Sequence, residues 1–336
     1  MRVLVTGANG FVGRILVQRL LATGILRGRR ISTLILLDKE LSGFSEDSRL
    51  RCHLGSVSDA ALLRRILADG VDVVFHLVSI PGGAAEEHYA LGYEVNLLAS
   101  LELLEQLRQQ PGAPVLVYAS SVAVYGASPA GRMDEAARAC PELSYGSHKR
   151  MVEIALSDLA RRGEVDGRAV RLPGIVARPR GPSGLRSAFM SELLHAFAAV
   201  DPFCCPVSPQ ATAWWMSARC SIDNLLHIAE VDAAALGTQR IWQLPLLHLS
   251  IAQVIDALAT VYGEDRRELI SFAPDERLEA LFGRYPLMKT PKSRALGLRH
   301  DGSAAALVRN ALNPSSRVRR ARMPAHSAGV LAHEID

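Results

Sequence analysis

Long apolar runs and cysteines with the paired spacing of metal ligands are both missing from this sequence. No uninterrupted apolar stretch approaches the roughly 20 residues that a membrane-spanning helix needs, and the chain begins with a strand-like run instead of a signal peptide. An odd number of cysteines without paired metal-ligand spacing predicts free thiols in a reducing compartment. The cysteines are Cys52, Cys140, Cys204, Cys205 and Cys220. We therefore expect a cytoplasmic protein with no metal site and no membrane partner.

A strong excess of one charge is also missing. The formal net charge is +4 and hydrophobic residues make up 49% of the chain, which is typical of a folded protein and excludes general disorder. The positive charges form no stripe with interleaved aromatic residues, so no nucleic-acid partner is expected. Some of them lie in residues 313–336, at Arg317, Arg319, Arg320 and Arg322, which predicts a basic, mobile tail.

The segment from Val3 to Gly13 predicts a strand, a tight turn and a helix. Its three glycines allow the backbone to approach a pyrophosphate, and the free N–H groups and positive end of the following helix favour that anion. A second apolar run, Ile31 to Leu37, ends at Asp38, where a carboxylate would accept the ribose hydroxyls of a dinucleotide. The sequence therefore predicts a dinucleotide site close to its N-terminus.

Strand-like and helix-like segments alternate through the first half of the chain. Further strands are predicted at 50–54, 71–77, 114–118 and 169–172, with helices at 84–109 and 145–162. This alternation predicts an α/β fold with a doubly wound parallel sheet of the Rossmann type, and residues 1–172 are interpreted as the dinucleotide-binding domain that also carries the reacting groups. Prolines and glycines interrupt the pattern from Pro173, so residues 173–312 are interpreted mainly as a smaller C-terminal substrate lobe.

Ser121, Tyr145 and Lys149 form the candidate catalytic set. Tyr145 and Lys149 are four residues apart, which places them on one face of the predicted helix. Oxidation of an alcohol by NAD needs a base for the hydroxyl proton, and a tyrosine phenol becomes one when a nearby cation stabilises its phenolate. Lys149 supplies that cation in this hypothesis, and Ser121, which follows a predicted strand, orients the substrate oxygen.

Together these motifs resemble those of the extended short-chain dehydrogenase/reductases, the group that includes sugar-nucleotide epimerases and dehydratases. The match extends to about Leu312 and implies NAD as cofactor. Family members often pair through their long helices, so the resemblance also implies a homodimer. The cofactor contacts that it implies are Gly7, Asn9, Gly10, Phe11, Val12, Gly13, Asp38, Ser56, Val57, Leu77, Val78, Asn96, Tyr145, Lys149, Leu172 and Pro173.

A narrower resemblance connects residues 144–149, 161–173, 205–207 and 295–298 with the D-erythronate dehydrogenase branch. That branch oxidises the 2-hydroxyl of a four-carbon sugar acid with NAD. The chain departs from it at 82–86, 180–183 and 214–216, which favours a bulkier or less hydroxylated substrate. Substrate contacts are expected from Ser79, Gly83, Ser121, Arg180 and Ser183. The candidates to hold a substrate carboxylate are Arg171, Arg178, Arg180 and Arg186.

The leading hypothesis is an NAD-dependent dehydrogenase that oxidises a secondary hydroxyl, at C2, of a small sugar acid or related hydroxy acid. Asp38 should repel the additional phosphate of NADP, although Lys39 follows it directly and softens that preference. Two alternatives stay open. One is an NAD(P)-dependent ketoreductase or epimerase of a larger substrate, and the other is a redox sensor that binds NAD(H) and signals through a partner.

Overall fold

The computed structural model describes residues 1–126, 131–181 and 185–313. Its strands are β1 (Arg2–Thr6), β2 (Ile25–Leu26), β3 (Arg29–Arg30), β4 (Thr33–Asp38), β5 (Leu50–Leu54), β6 (Val73–His76), β7 (Val115–Ser121), β8 (Arg132–Asp134), β9 (Asp166–Leu172), β10 (Gly174–Val176), β11 (Phe203–Cys205), β12 (Thr212–Ser217), β13 (Ile241–Gln243), β14 (Leu247–Ser250), β15 (Ile270–Phe272) and β16 (Leu287–Lys289).

The α-helices are α1 (Phe11–Thr23), α2 (Ala60–Leu67), α3 (Gly82–Glu87), α4 (Tyr89–Gly92), α5 (Ala99–Arg108), α6 (Ser144–Arg161), α7 (Phe189–Ala199), α8 (Ala218–Glu230), α9 (Ala233–Leu236), α10 (Ile251–Tyr262), α11 (Glu276–Phe282), α12 (Pro291–Ala295) and α13 (Ala304–Leu312). A π-helix covers Tyr93–Leu98, and 3₁₀ helices cover Val122–Tyr125 and Glu264–Leu269. The basic tail predicted at 313–336 lies outside the described residues from position 314 onward.

Within the described ranges, seven strands form one parallel sheet in the order β5, β4, β1, β6, β7, β9 and β13. The strand order changes direction beside β1, which pairs with β4 on one side and with β6 on the other. Parallel strands covered on both faces need near-continuous apolar runs, and all four residues of β6 are buried. The predicted doubly wound parallel sheet is therefore confirmed.

Two apolar clusters cover the two faces of this sheet. Alternate residues of a strand point to opposite faces, so neighbouring residues of β1 belong to different clusters. Val5 packs with Leu16 of α1 and Leu225 of α8 on one face. Leu4 packs on the other face in the cluster that contains Leu103 of α5, together with residues of α2 and α6. Helices on both faces leave the carboxyl edge of the sheet as the place for a ligand.

The second half of the chain builds a smaller layer over that edge. Strands β10, β12 and β14 form a second sheet, and α7, α10 and α13 share with it a core around Phe197, Trp215 and Leu258. The chain also returns to the main sheet, since β13 pairs with β9 and places Ile241 opposite Ala169. The segment 173–312 therefore supplies a strand of the main sheet in addition to the lobe.

The helical pattern predicted over 84–109 is confirmed, but the segment is divided into α3, α4, the π-helix and α5. The wide turn of the π-helix contains Asn96, whose side chain accepts a hydrogen bond from Ile80 N at 2.7 Å and donates one to Ile80 O at 3.1 Å. π-helical turns are often found at functional sites, and apolar periodicity alone does not reveal them. Here the turn fixes the loop that follows β6.

The part of the chain that the structure describes has no membrane-spanning helix, no metal-ligand cluster and no disulfide bond. No helix there combines the length and the apolar character that a membrane crossing needs. No group of three His, Cys, Asp or Glu side chains in those residues is arranged to hold a metal ion. All five cysteines are free, and Cys52, Cys140 and Cys204 are exposed.

Candidate active site

A cavity of about 580 Å³ opens at the carboxyl ends of the sheet strands, between the main sheet and the smaller layer. Its wall combines the turn after β1, the loop after β6, the end of β7, the start of α6 and the segment after β9. The predicted site residues that line it are Gly7, Asn9, Gly10, Phe11, Val12, Gly13, Asp38, Leu77, Val78, Ser79, Gly83, Ser121, Tyr145, Leu172 and Pro173. The volume suits a ligand of small-molecule size.

The glycine turn has the shape of a diphosphate cradle. Gly7 has φ +71°, and a Cβ atom on it would lie 2.7 Å from the backbone nitrogen of Val78. A Cβ atom on Gly13 would lie 2.1 Å from the carbonyl oxygen of Gly7, so neither position accepts a side chain without displacing backbone. Helix α1 begins at Phe11 after the N-cap residue Gly10, and no side chain caps it, which leaves its first N–H groups for an anion. These residues fit a bound dinucleotide.

Asp38 ends β4 beside this turn with its carboxylate held in place. One carboxylate oxygen accepts a hydrogen bond from Asn9 N at 2.8 Å, and the other accepts one from Lys39 N at 2.7 Å. The side chain lines the cavity where the adenosine end of a dinucleotide would lie. Its position at the end of the strand next to β1 agrees with the role expected from the sequence, which stays a prediction.

Tyr145 lies in the first turn of α6, and its phenol faces the cavity. The hydroxyl groups of Ser79 and Ser121 act on the phenol and lower its pKa. The Ser121 oxygen also accepts a hydrogen bond from Ala123 N at 3.1 Å, which fixes that side chain at the end of β7. The start of α6 is itself fixed, because Glu86 accepts a hydrogen bond from the backbone nitrogen of Ser144.

Burial raises the pKa of the Tyr145 phenol. The Ser79 hydroxyl and the positive charge of Arg178 act in the opposite direction, and so does the Ser121 hydroxyl. A phenol in this setting holds its proton at neutral pH. Further positive charge nearby must lower its pKa before the phenol can lose that proton. Only the resulting phenolate can take a proton from a substrate.

Lys149 lies one helical turn beyond Tyr145, only 1% exposed, and is placed behind the cavity wall. Its ammonium donates a hydrogen bond to Ala119 O at 2.8 Å and lies 5.7 Å from the centre of the Tyr145 ring. Burial lowers the pKa of Lys149 to about 7, and the carboxylate of Glu153 partly opposes this effect. The structure thus places the other two predicted catalytic side chains, Ser121 and Lys149, near the Tyr145 phenol.

Glu153 was not predicted, yet it joins the elements that carry these side chains. Its carboxylate is fully buried on α6, one further turn beyond Lys149. Arg171 of β9 donates two hydrogen bonds to it, each 2.8 Å long, and Ser120 of β7 donates one at 2.6 Å. Arg150 adds an ion pair at 3.0 Å. The sequence pattern that could have identified Glu153 is the spacing of four residues, which places Tyr145, Lys149 and Glu153 on one helix face.

Besides Lys149, four predicted contacts among the described residues do not line the cavity. Asn96 is buried and bonds to the backbone of Ile80, so it holds the loop that carries Ser79. Val57 is buried in the core on one face of the sheet, and the Ser56 hydroxyl accepts a hydrogen bond from Ser58 N. Arg180 is exposed and pairs with Asp201 at 2.7 Å. The predicted contact Ser183 lies outside the described residues.

The four arginines considered for a carboxylate are also separated by the structure. Arg171 is committed to Glu153, and Arg180 to Asp201. Arg178 and Arg186 line the cavity.

The outer wall of the cavity is apolar and was not foreseen. Met190, Trp214, Phe282 and Tyr285 contribute to it from separate elements of the C-terminal half. The Trp214 and Tyr285 rings lie 4.6 Å apart between centres, and the indole nitrogen of Trp214 donates to Pro286 O at 2.7 Å. Because these residues are distant in the sequence, no local pattern could have grouped them.

Comparison with known proteins places this geometry in a family. The model of the NAD dependent epimerase/dehydratase family matches residues 3–212. The chain belongs to this family. Membership confirms the resemblance to the extended short-chain dehydrogenase/reductases, and it makes the chain an enzyme that uses a nicotinamide dinucleotide on CH–OH groups.

Individual relatives cover nearly the whole chain. The D-erythronate dehydrogenase of Cupriavidus necator is 35% identical over 314 residues, which cover 92% of this chain and 97% of the relative. The D-erythronate dehydrogenase of Haemophilus influenzae is 30% identical over 306 residues, covering 90% and 96%. A crystal structure described as a nucleoside-diphosphate-sugar epimerase from Agrobacterium tumefaciens superposes with a TM-score of 0.88 at 29% identity, covering 94% of each chain.

Proposed function

We propose that the protein oxidises the C2 hydroxyl of a small sugar acid or related hydroxy acid, with NAD as hydride acceptor and Tyr145 as base. The observation that carries the proposal is the Tyr145 phenol, which lines the cavity together with Ser121 and Ser79 and has the Lys149 ammonium 5.7 Å from the centre of its ring. The names of the two curated relatives, both D-erythronate dehydrogenases, support a sugar acid as the substrate class.

Each side chain has a defined task in this proposal. Ser121 donates its hydroxyl proton to the substrate oxygen and so orients it, because its own oxygen already accepts from Ala123 N. Tyr145 then takes the proton of the substrate hydroxyl. The ammonium of Lys149 stabilises the phenolate that Tyr145 must provide, which offsets the effect of burial on that phenol. Bound NAD would supply the electrophilic carbon that accepts the hydride.

The test is the formation of NADH, followed by absorbance, with a panel of four- to six-carbon sugar acids and simple hydroxy acids. Parallel reactions contain NADP. Turnover of a four-carbon acid with NAD, and a 2-oxo acid as the product, supports both the substrate class and the C2 position. Absence of turnover across the panel, while NAD still binds, would reject the proposed substrate class.

The choice of NAD over NADP rests on Asp38. Its carboxylate should repel a phosphate on the adenosine ribose, so we expect Asp38→Asn to reduce the preference for NAD, as a ratio of kcat/KM values, by about tenfold or more. Glu40→Gln is the matched control, since Glu40 also lines the cavity and its substitution removes the same charge. An unchanged ratio in Asp38→Asn, or an equal change in both variants, would show that Asp38 does not select the cofactor.

A homodimer is part of the proposal, supported by an exposed apolar face on neighbouring helices. Its members are Tyr89, Leu91, Tyr93, Leu98, Met151 and Ile154, from α4, the π-helix and α6. A contiguous exposed apolar patch of this kind favours contact with another protein surface. Helix α6 carries part of this face as well as the proposed reacting groups, because Tyr145, Lys149 and Ile154 all belong to it.

We expect light scattering to give twice the chain mass of 36.3 kDa for the wild type and a single-chain mass for Ile154→Glu. A charge placed in an apolar contact lacks a partner there and is strongly unfavourable. Ile25→Glu is the matched control, because Ile25 is 51% exposed and Ile154 55%, and Ile25 lies on β2, outside this face. A wild-type chain that stays monomeric at high concentration would contradict the proposal.

A cytoplasmic location completes the proposal. It is supported by the five free thiols, three of them exposed, which suit a reducing compartment. Fractionation of cells that express the chain with an epitope tag would test it, and recovery with membranes or in an oxidising compartment would reject it.

A further inference from the structure

Arg178 is a cavity-lining cation for which the structure gives no anionic partner among the described residues. Arg171 and Arg180 each have a carboxylate at 2.8 Å or less, whereas Arg178 forms no ion pair in that part of the chain. Its guanidinium also donates no hydrogen bond to those residues and lies over the ring of Phe11, 5.4 Å from its centre. A partly desolvated cation without a counter-ion is unfavourable unless a ligand supplies the negative charge.

The backbone holds this side chain in position. Arg178 lies two residues after the end of β10, and its backbone nitrogen donates a hydrogen bond to the Ser191 hydroxyl at 3.0 Å. Its carbonyl oxygen lies 2.7 Å from Nε2 of His195, which donates to it. Both partners belong to α7, so the segment is attached to the helix on both sides of the residue. The guanidinium is thus placed by the fold.

Arg178 and Tyr145 line the same cavity, and their charges influence each other. Burial lowers the pKa of the guanidinium, and the charge of a Tyr145 phenolate opposes that effect. The influence is mutual, because Arg178 also acts to lower the pKa of the Tyr145 phenol. An anion that binds Arg178 would therefore lie beside the phenol that is proposed to take the substrate proton.

We propose that Arg178 binds the carboxylate of the substrate through its planar guanidinium, and so places the adjacent carbinol carbon at Tyr145. This inference rests on the proposed function, which it deepens by naming the substrate class: an acid whose carboxylate is attached directly to the reacting carbon. Two parallel N–H donors match the two oxygens of a carboxylate and fix its orientation. The diphosphate of the cofactor is the other anion that could reach this wall, and the experiment separates the two.

Binding measurements test the subsite without any turnover. Oxamate, an unreactive carboxylate analogue of a 2-oxo acid, is titrated calorimetrically into protein saturated with NADH. We expect Arg178→Gln to weaken oxamate binding by about 10- to 100-fold, and Arg178→Lys to retain part of it because the charge remains but the fork is lost. NAD affinity should change less than about threefold in both variants. Arg180→Gln removes the same charge two residues away and should leave oxamate binding unchanged.

The outcomes separate this subsite from the dehydrogenase proposal. Unchanged oxamate affinity in Arg178→Gln, or an equal loss in Arg180→Gln, would overturn the subsite. Loss of NAD affinity with unchanged oxamate binding would identify the diphosphate as the partner and would also overturn it. Arg178-dependent oxamate binding in a protein that oxidises no hydroxy acid would retain the subsite and reject the proposed reaction. Turnover of D-erythronate with an unchanged KM in Arg178→Gln would support the proposed reaction and reject the subsite.

Discussion

Tyr145→Phe is expected to lower kcat for the hydroxy acid by about a hundredfold or more while NAD affinity changes little. The substitution removes only the phenolic oxygen, which is the atom proposed to take the proton from the substrate. The ring remains, so the cavity keeps its shape and the glycine turn is untouched. Stopped-flow and steady-state measurements of NADH formation, with NAD affinity determined by calorimetry, would record both quantities.

Tyr125→Phe is the matched control for that experiment. Tyr125 is buried close to the same strand end, and the centre of its ring lies 4.8 Å from the Arg171 guanidinium. Removal of its phenolic oxygen should leave kcat within about threefold of the wild-type value, because that oxygen takes no part in the proposed chemistry. Retained activity in Tyr145→Phe, or an equal loss in both variants, would exclude the phenol as the base.

Lys149→Met should abolish most activity and yet stabilise the folded protein. The folded state holds the pKa of Lys149 at about 7, whereas the ordinary value is 10.5, so burying the ammonium costs free energy at neutral pH. After allowance for the lost hydrogen bond to Ala119 O, we expect a gain of about 2 kcal/mol or more in the free energy of unfolding at pH 7. Urea unfolding of the cofactor-free protein measures this gain.

The pH dependence of that gain has a definite sign. Between about pH 7 and pH 10.5 the unfolded wild-type chain binds a proton at Lys149 and the folded chain does not, so wild-type stability rises with pH in this window. The advantage of Lys149→Met should therefore be largest at or below pH 7 and disappear near pH 10.5. Lys292→Met, at an exposed lysine, should show no such trend. A Lys149→Met protein less stable than wild type at pH 7 would show that Glu153 and Ala119 compensate the buried charge in full.

Local sequence patterns were sufficient for the parts of the site that are built locally. The glycine turn depends on a few consecutive residues, and the Tyr145/Lys149 pair on a fixed helical spacing, so both could be read from short segments. The parallel, doubly wound character of the main sheet followed from the alternation of strands and helices. The structure brings these elements to one cavity, while the catalytic roles stay predictions.

Features that depend on distant segments could not be predicted in this way. Glu153 and Arg171 are 18 positions apart, on a helix and a strand, and only the folded chain shows that they share a buried ion pair. The apolar wall combines Trp214 with Tyr285, which come from unconnected elements. Asn96 was assigned to the cofactor from family resemblance, but it bonds to Ile80, because the π-helical turn directs its side chain to the loop.

The carboxylate of Glu153 has a consequence for how this enzyme could acquire new substrates. Because it bonds to residues of β7 and β9 from within α6, it links three elements that each contribute residues to the cavity wall. Mutations that change substrate selectivity are therefore expected to accumulate at Met190, Trp214 and Phe282. These side chains line the cavity but take no part in the Glu153 hydrogen bonds. Laboratory evolution that randomises those three positions should yield variants with altered substrate ranges in which the proposed catalytic residues are unchanged.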